Sequence, residues 1–397
     1  MDDDPPPLER FRALVLGDSD LQLALYQAAD DASFVALALE AARRNGIALT
    51  PAMLQCAPDP LGLSRRTLTP VMSRRWPPPD WLPIAIAQDG RGLAVDWAYF
   101  GDARLDEPFF ELSIRRALRQ PLNRLVRYRT SLEDLTAGAI GEDGAPQGFI
   151  FHLSRCGSTL VAQMLAAMPG HSVISEAPPI NDILLNGGDE RNARALAAIV
   201  RAYCRKRTGE ARKPFVKLDS WHVLFLPLFR RAFPDVPWVF LYREPLEVLV
   251  SQQRRRGLQA IPGVLAPSVF GIDAGDASEM DAYCALVLKS ICRAAAEHFK
   301  LGGGILVHYR ELPEAVVGRI LPHFGARARE ADREAMRRVA RYDVKTPHRE
   351  FSSDGEDKQR EASEALRRLA ETHVAEAYAR LEVLRQGQPP RSGAPGL

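Results

Sequence analysis

Residues 154–159 combine the residue types that bind a phosphate or sulfate group. This run, SRCGST, lies between a short apolar stretch and a stretch with the apolar spacing of a helix. A glycine lets the backbone approach an anion closely, and the amides that begin a helix, with Ser and Thr hydroxyls beside them, can bind it. The sequence therefore predicts an anion-binding loop made of Ser154, Arg155, Cys156, Gly157, Ser158 and Thr159, with Arg155 as its cation.

The loop differs from that of the nucleotide triphosphatases. Their motif, GxxxxGK[ST], has a Lys directly after its last Gly and requires an acidic metal-binding residue after another strand. Here Ser158 follows Gly157, and the apolar stretch 238–242 is followed by Arg243. A kinase-like phosphoryl transferase is therefore an alternative that these residues disfavour.

At these residues the chain resembles the sulfotransferases. Their first motif, P-[KR]-x-G-[ST]-T, matches residues 154–159 except for Ser in place of Pro. Their second is a strand ending in R-x-P, with a Ser eight residues after the Arg, and it matches Arg243, Pro245 and Ser251. The resemblance extends over residues 146–385. It implies a metal-independent enzyme that transfers a sulfuryl group from 3′-phosphoadenosine 5′-phosphosulfate to a hydroxyl or amine.

The resemblance also implies roles for individual residues. The loop would hold the 5′-phosphate, and Arg155 would meet the bridging oxygen of the donor. Arg243 and Ser251 would hold the 3′-phosphate, and Tyr309 would lie near the adenine. The alternative for Arg243 is a surface ion pair with a neighbouring glutamate, either Glu244 or Glu247. The segment 343–358 would be a phosphate-covering loop, with cations at Lys345, Arg349 and Lys358.

An acceptor hydroxyl must also lose a proton. In the sulfotransferases that act on protein tyrosines, a Glu after the next strand is the base, and Glu176 has that spacing from Arg155. The cytosolic sulfotransferases use a His in K-T-H, whereas this chain has K-L-D, beginning at Lys217. We predict Glu176 as the base, with Lys217 in the same cleft as a further catalytic residue. Asp219 and His222 are the alternatives, and Asp219 has the further alternative of capping the next helix.

Apolar stretches alternate with helical patterns after residue 145. Unbroken apolar strands bounded by helices are typical of a parallel sheet covered on both faces, and such sheets bind ligands at the carboxyl ends of their strands. We therefore predict an α/β fold, a P-loop three-layer architecture with a mainly parallel sheet. The predicted strands lie near residues 149–153, 173–175, 215–218, 238–242 and 305–309.

The residues before this domain divide into two predicted regions. Residues 1–60 have helical periodicity and resemble, through that pattern and the closing GIALTP, the helical leader-peptide domain of nitrile-hydratase-type leaders. Residues 61–145 are predicted as a linker and accessory α+β region with a hairpin around Asp89 and Gly90. Residues 386–397 are predicted to be a disordered tail. A non-catalytic peptide-binding scaffold with the leader-like region as its recognition element is the alternative from a different class.

Composition limits the remaining possibilities. The chain has 397 residues, 46% of them hydrophobic, and a net charge of only +2, which gives no electrostatic case for binding nucleic acid or a membrane. Its five cysteines show no C-x-x-C spacing, and no apolar run approaches the ~20 residues that span a bilayer. We expect a cytoplasmic protein that acts on a small-molecule or peptide acceptor, whose identity these residues do not specify.

Overall fold

The computed structural model divides the chain into two compact units. The first comprises Met1–Arg104, Phe109–Gly144 and Arg201–Ala211, and the second comprises Leu105–Pro108, Ala145–Val200 and Arg212–Leu397. Most of the first two predicted regions thus lies in one unit, which also includes residues 201–211 of the region predicted as the α/β domain. The residues described are 5–54, 69–90, 92–138, 144–187, 190–207, 213–273, 275, 279–343, 346–350 and 354–388.

The first unit contains seven helices and a four-stranded sheet among the described residues. The sheet has the order β1-β4-β3-β2, in which only the β1–β4 pair is parallel. The predicted hairpin is present as β2 and β3. The strands are β1 (Val71–Met72), β2 (Trp81–Asp89), β3 (Gly92–Tyr99) and β4 (Tyr128–Ser131). The helices are α1 (Pro7–Gly17), α2 (Ser19–Tyr26), α3 (Asp31–Arg44), α4 (Pro51–Leu54), α5 (Phe110–Arg119), α6 (Pro121–Leu125) and α7 (Leu132–Ala137).

Buried aromatic side chains join the N-terminal helices to this sheet. Trp81 is fully buried, donates a hydrogen bond from Nε1 to Gln22 Oε1 (3.0 Å) and packs edge-to-face on Tyr128. Arg12 of α1 donates to the carbonyl of Leu125 at 2.8 Å. The predicted N-terminal helices are therefore present and contribute to the core of the first unit.

The second unit contains a parallel five-stranded sheet. Its order is β6-β7-β5-β8-β9, and every neighbouring pair is parallel. All residues of the central strand GFIFH are buried, as expected for a strand covered on both faces. The predicted α/β fold with a mainly parallel sheet is confirmed. The strands are β5 (Gly148–His152), β6 (His171–Ser175), β7 (Lys213–Lys217), β8 (Trp238–Tyr242) and β9 (Gly304–His308).

Helices follow the strands of this sheet in the alternation that the sequence predicts. A short hairpin, β10 (Tyr342–Asp343) with β11 (Thr346–Glu350), lies late in the chain. None of the described helices is long and apolar enough to cross a membrane. The remaining helices are α8 (Ser158–Ala166), α9 (Pro178–Leu185), α10 (Glu190–Cys204), α11 (Leu226–Ala232), α12 (Pro245–Arg254), α13 (Met280–His298), α14 (Leu321–His323), α15 (Glu330–Ala340), α16 (Gly355–Glu361), α17 (Glu364–Leu369) and α18 (Ala375–Gln386).

Candidate active site

The predicted anion-binding loop connects β5, the central strand, to α8. Gly157 precedes the first helical residue and has a φ of 83°, which favours glycine. A Cβ atom at this position would lie 2.8 Å from Leu312 Cδ1, so the packing also excludes a side chain. Ser158 and Thr159 begin α8 and are buried. Amides of a first helical turn have no intrahelical acceptor, so this backbone is suited to holding an anion.

Two side chains of the loop are used to hold its shape. Ser154 Oγ accepts a hydrogen bond from Gln252 Nε2 at 3.0 Å, and Gln252 Oε1 in turn accepts from the Gly257 amide. The Cys156 thiol is buried in the hydrophobic core and donates to the Leu241 carbonyl at 3.2 Å. Cys156 was predicted to bind the donor, and with its thiol turned into the core it can contact a ligand only through its backbone.

Arg243 lies directly after β8 and is almost completely buried. Its Nε donates to Glu247 Oε2 at 2.6 Å, and its Nη2 donates to Asp354 Oδ1 at 2.7 Å. The guanidinium carbon lies 4.0 Å from the centre of the Tyr309 ring. The alternative of an ion pair with Glu247 is therefore realised, but the pair is buried and not on the surface.

The Tyr309 ring lies between Arg243 and the loop. One face carries the guanidinium of Arg243, and a Cβ at Gly157 would lie 3.1 Å from the ring. Ser251 is buried on α12, the helix that follows Arg243. The structure thus brings Gly157, Tyr309 and Arg243 together at the carboxyl ends of β5, β8 and β9, where the sequence predicts the donor site.

A lysine from the C-terminal part of the chain joins these cations. Lys358 lies on α16, is 4% exposed, and its Nζ is 2.7 Å from Asp354 Oδ2. Burial lowers the pKa of Lys358, and the nearby charges of Arg243 and Arg155 lower it further against the opposing effect of Asp354. Lys358 therefore shares the Asp354 carboxylate with Arg243. Of the other predicted cations of this segment, Lys345 and the side chain of Arg349 lie outside the described part of the structure.

A second group of charged residues lies at the ends of β6 and β7. Glu176 follows β6, and its carboxylate forms an ion pair with the fully buried Lys217 at the end of β7. The Glu176 amide donates to the Lys217 carbonyl at 2.8 Å. His152 Nε2 lies 3.6 Å from Glu176 Oε1. Burial alone would raise the pKa of Glu176, but Lys217 and His152 hold it below its ordinary value.

Asp219 is the other carboxyl of this group. Burial and the neighbouring Glu176 carboxylate raise the pKa of Asp219 to about 8, against the opposing effects of Lys217 and Asn181. The Asp219 amide donates to His222 Nδ1 at 3.3 Å, and His222 Nε2 is 3.9 Å from Asp219 Oδ2. Burial lowers the pKa of His222 to about 3, so its ring is neutral near pH 7. The two carboxyls therefore differ strongly in proton affinity although they are neighbours.

Several buried polar atoms around these carboxyls make no hydrogen bond. Buried polar groups are normally paired, so such atoms indicate where water or a polar ligand group is to be bound. Ser175, the last residue of β6, and Asn181 of α9 are not among the predicted site residues, although their polar types at the carboxyl end of a strand and in the next helix were the available signal. The atoms are both ring nitrogens of His152, Nε2 of His222, Oγ of Ser175 and Oδ1 of Asn181.

Arg155 and Glu176 share an unusual backbone conformation. They have φ angles of 62° and 53°, and they are the non-glycine residues with positive φ among those that the structure describes. Such conformations cost about 1–3 kcal/mol each and occur preferentially at functional sites. Strain at the two residues predicted as loop cation and base is consistent with a site at these strand ends.

Comparison with known proteins gives structural matches only. No family model and no curated protein matches the sequence. A sulfotransferase from Alicyclobacillus acidocaldarius is 14% identical, with 62% of this chain and 97% of that one covered and a TM-score of 0.39. The sulfotransferase domain of a Synechococcus olefin synthase is 17% identical (62% and 97% covered, TM-score 0.36). A sulfotransferase from Mycobacterium tuberculosis is 16% identical (57% and 79% covered, TM-score 0.35).

These matches agree with the resemblance seen in the two sequence motifs. All of the structures named are sulfotransferases.

Proposed function

We propose that the protein is a sulfotransferase that takes a sulfuryl group from 3′-phosphoadenosine 5′-phosphosulfate. The observation that carries this proposal is the position of Arg243, a buried cation separated from the anion-binding loop by the Tyr309 ring. Loop and arginine provide two anion positions at one edge of the sheet. The proposed donor has two such anionic groups, the 5′-phosphosulfate and the 3′-phosphate.

The loop would hold the 5′-phosphate of the donor. Its amides at Ser158 and Thr159 and the Arg155 guanidinium would neutralise the charge that grows on the leaving phosphate. During transfer the bond from sulfur to the bridging oxygen breaks, and its electron pair stays on the phosphate. A new bond forms between sulfur and the acceptor oxygen or nitrogen. The proposal includes no metal, because Arg155 and Lys358 supply the positive charge.

The proton of the acceptor would pass to the Glu176–Asp219 carboxyl pair. Glu176 is ionised and bound by Lys217, which lowers its proton affinity. Asp219 has the higher proton affinity, since burial and Glu176 raise its pKa to about 8. A base is most effective when its pKa lies near the working pH. We therefore place proton transfer on Asp219, with Glu176 maintaining its basicity and Lys217 fixing Glu176.

The acceptor is proposed to be a small molecule or a peptide, not a nucleic acid. The buried Nε2 of His222 and Oδ1 of Asn181, which have no hydrogen-bond partner among the described residues, are suited to a polar acceptor group beside the carboxyls. We also propose a cytoplasmic location, because Cys204, Cys284 and Cys292 are buried thiols that form no disulfide in the described part of the chain, as is usual in a reducing compartment.

Calorimetry with adenosine 3′,5′-bisphosphate tests the proposal. The bisphosphate should bind more tightly than adenosine 5′-monophosphate, and more tightly than ATP with magnesium. Arg243→Ala should weaken bisphosphate binding by about 1.5–3 kcal/mol, the range for a hydrogen bond to a charged group. Arg230→Ala is the matched control, because Arg230 contacts Val236 and lies near Gly303, at the amino ends of the strands.

Three results would count against the proposal. Tighter binding of magnesium-ATP would favour the kinase-like alternative. No binding of either nucleotide by the folded protein would favour the non-catalytic scaffold. Equal losses in Arg243→Ala and Arg230→Ala would show that the effect of Arg243 is a general loss of stability.

A further inference from the structure

The carboxylate of Asp354 lies between two buried cations. Its Oδ1 accepts from Arg243 Nη2 at 2.7 Å, and its Oδ2 lies 2.7 Å from Lys358 Nζ. The side chains of Arg243 and Lys358 are 3% and 5% exposed, whereas that of Asp354 is 36% exposed. A partly exposed carboxylate thus uses both of its oxygens on cations that are otherwise shielded from solvent.

The surroundings of Asp354 have the charge pattern of an anion site. Arg243 and Lys358 share the Asp354 carboxylate, and after the larger effect of burial the charges of Arg243 and Arg155 both lower the pKa of Lys358. Glu247 binds the Nε side of the Arg243 guanidinium at 2.6 Å and leaves the Nη2 side to Asp354. A planar guanidinium that offers one side to an oxyanion is suited to carboxylate and phosphate alike.

Glu247 and Asp354 already occupy the Nε and Nη2 donors of Arg243, so a phosphate cannot bind Nη2 while Asp354 remains there. A phosphate brought beside the Asp354 carboxylate would also meet like-charge repulsion in a poorly solvated place. The contact between Arg243 and Asp354 and the binding of a second phosphate therefore exclude one another. One anion must leave when the other arrives.

We propose that the Asp354 carboxylate occupies, in the free protein, the position that the donor's 3′-phosphate takes in the complex. This inference rests on the proposed function. Donor binding would then be an exchange of anions, in which Arg243 and Lys358 release Asp354 and accept the phosphate. Asp354 would lower the affinity for nucleotides that bear a 3′-phosphate and leave other nucleotides unaffected. It would also keep two buried cations paired while no donor is present.

Calorimetric titration of the full chain with two nucleotides tests this exchange. Asp354→Asn removes the charge and preserves the shape, so adenosine 3′,5′-bisphosphate should bind roughly tenfold more tightly, a step of 1.4 kcal/mol. Adenosine 5′-monophosphate should bind within about twofold of the wild-type affinity, a small fraction of that step. Asp357→Asn is the matched control, since it removes the same charge from α16, the helix that begins directly after Asp354, and Asp357 pairs with the exposed Arg360.

A double variant identifies the partner. In Arg243→Ala the gain from Asp354→Asn should disappear, because the two substitutions act through one contact. Asp354→Ser is a second variant should Asp354→Asn fail to unfold cooperatively. Bisphosphate binding that is unchanged or weaker in both Asp354 variants, while the wild type binds, would overturn the exchange and leave the proposed function standing. A gain shared equally by the monophosphate or by Asp357→Asn would also overturn it. No binding by any folded variant would overturn both proposals.

Discussion

Glu176 and Lys217 form an ion pair at the carboxyl ends of β6 and β7, and the lysine of this pair is fully buried. The pair is reinforced by the backbone, since the Glu176 amide donates to the Lys217 carbonyl. A φ of 53° at Glu176 indicates that this arrangement is held against a backbone preference. The ion pair therefore fixes the charge state of a candidate catalytic carboxylate.

Removing one partner of this ion pair should destabilise the protein. Glu176→Gln leaves the buried Lys217 ammonium without its carboxylate. We expect the free energy of unfolding to fall by about 2–4 kcal/mol, which is near the range for broken buried ion pairs. The lower end of this interval is included because Glu176 is partly exposed. The double variant Glu176→Gln/Lys217→Met should recover part of this loss. Urea unfolding at pH 7 measures both. A double variant less stable than Glu176→Gln would contradict the prediction.

Asp219 should make stability depend on pH in the opposite direction to most carboxylates. Its pKa in the folded protein is about 8, above the ordinary value of 3.8, so the folded state binds more protons than the unfolded state between these values. Stability contributed by the neutral carboxyl is then present below about pH 4 and is lost as the pH rises to 8.

Asp219→Asn should remove this loss. We expect the variant to gain about 1–3 kcal/mol over the wild type at pH 8 and less at pH 5, a fraction of the full linkage because the side chain is partly exposed. Urea unfolding at the two pH values measures the difference, with the exposed Asp235→Asn as control. A gain that is equal at both pH values would mean that the carboxyl of Asp219 does not titrate in this interval.

The parallel sheet could be predicted from the sequence because each strand carries its own signal. GFIFH and WVFLY are unbroken apolar runs followed by a loop and a helix, and strands of this kind need burial on both faces. The loop 154–159 could be predicted for the same reason, since all of its residues are consecutive. Local patterns thus specified the strands and the loop.

Contacts between distant residues could not be predicted in this way. Arg243 and Asp354 are 111 positions apart, and although the resemblance assigns both regions to the donor's phosphates, no pattern near either residue indicates a hydrogen bond between them. The hydrogen bond from Trp81 to Gln22 joins the predicted helical region 1–60 to the predicted accessory region 61–145. Such pairings depend on how the elements pack, which apolar periodicity does not specify.

Proton transfer by Asp219 predicts a particular pH dependence of turnover. The measurement requires an acceptor, which a mass-spectrometric screen of phenols, alcohols and amines for sulfated products would supply. With that acceptor, kcat/KM should fall as the pH is lowered below about 8, because Asp219 becomes protonated. Glu176→Gln removes the carboxylate that raises this pKa, so the acidic limb should move to lower pH. Asp219→Asn should lower kcat by about 10²–10⁴ and abolish the limb. An unchanged limb in Glu176→Gln would contradict the assignment, and loss of the limb in Glu176→Gln alone would place the base on Glu176.

Gly157 should tolerate no side chain. Alanine would place a Cβ 2.8 Å from Leu312 Cδ1 and 3.1 Å from the Tyr309 ring, at a φ of 83° that L residues avoid. We expect Gly157→Ala to lower the free energy of unfolding by about 1–3 kcal/mol through backbone strain alone, and to weaken bisphosphate binding because Tyr309 must shift under Arg243. Gly318→Ala is the control, since a Cβ there meets no atom within 4 Å and the residue is helical. Thermal unfolding and calorimetry measure the two effects. A Gly157→Ala variant with the stability and the bisphosphate affinity of the wild type would show that the loop can change its shape. The proposal of two fixed anion positions, on which the proposed function depends, would then be contradicted.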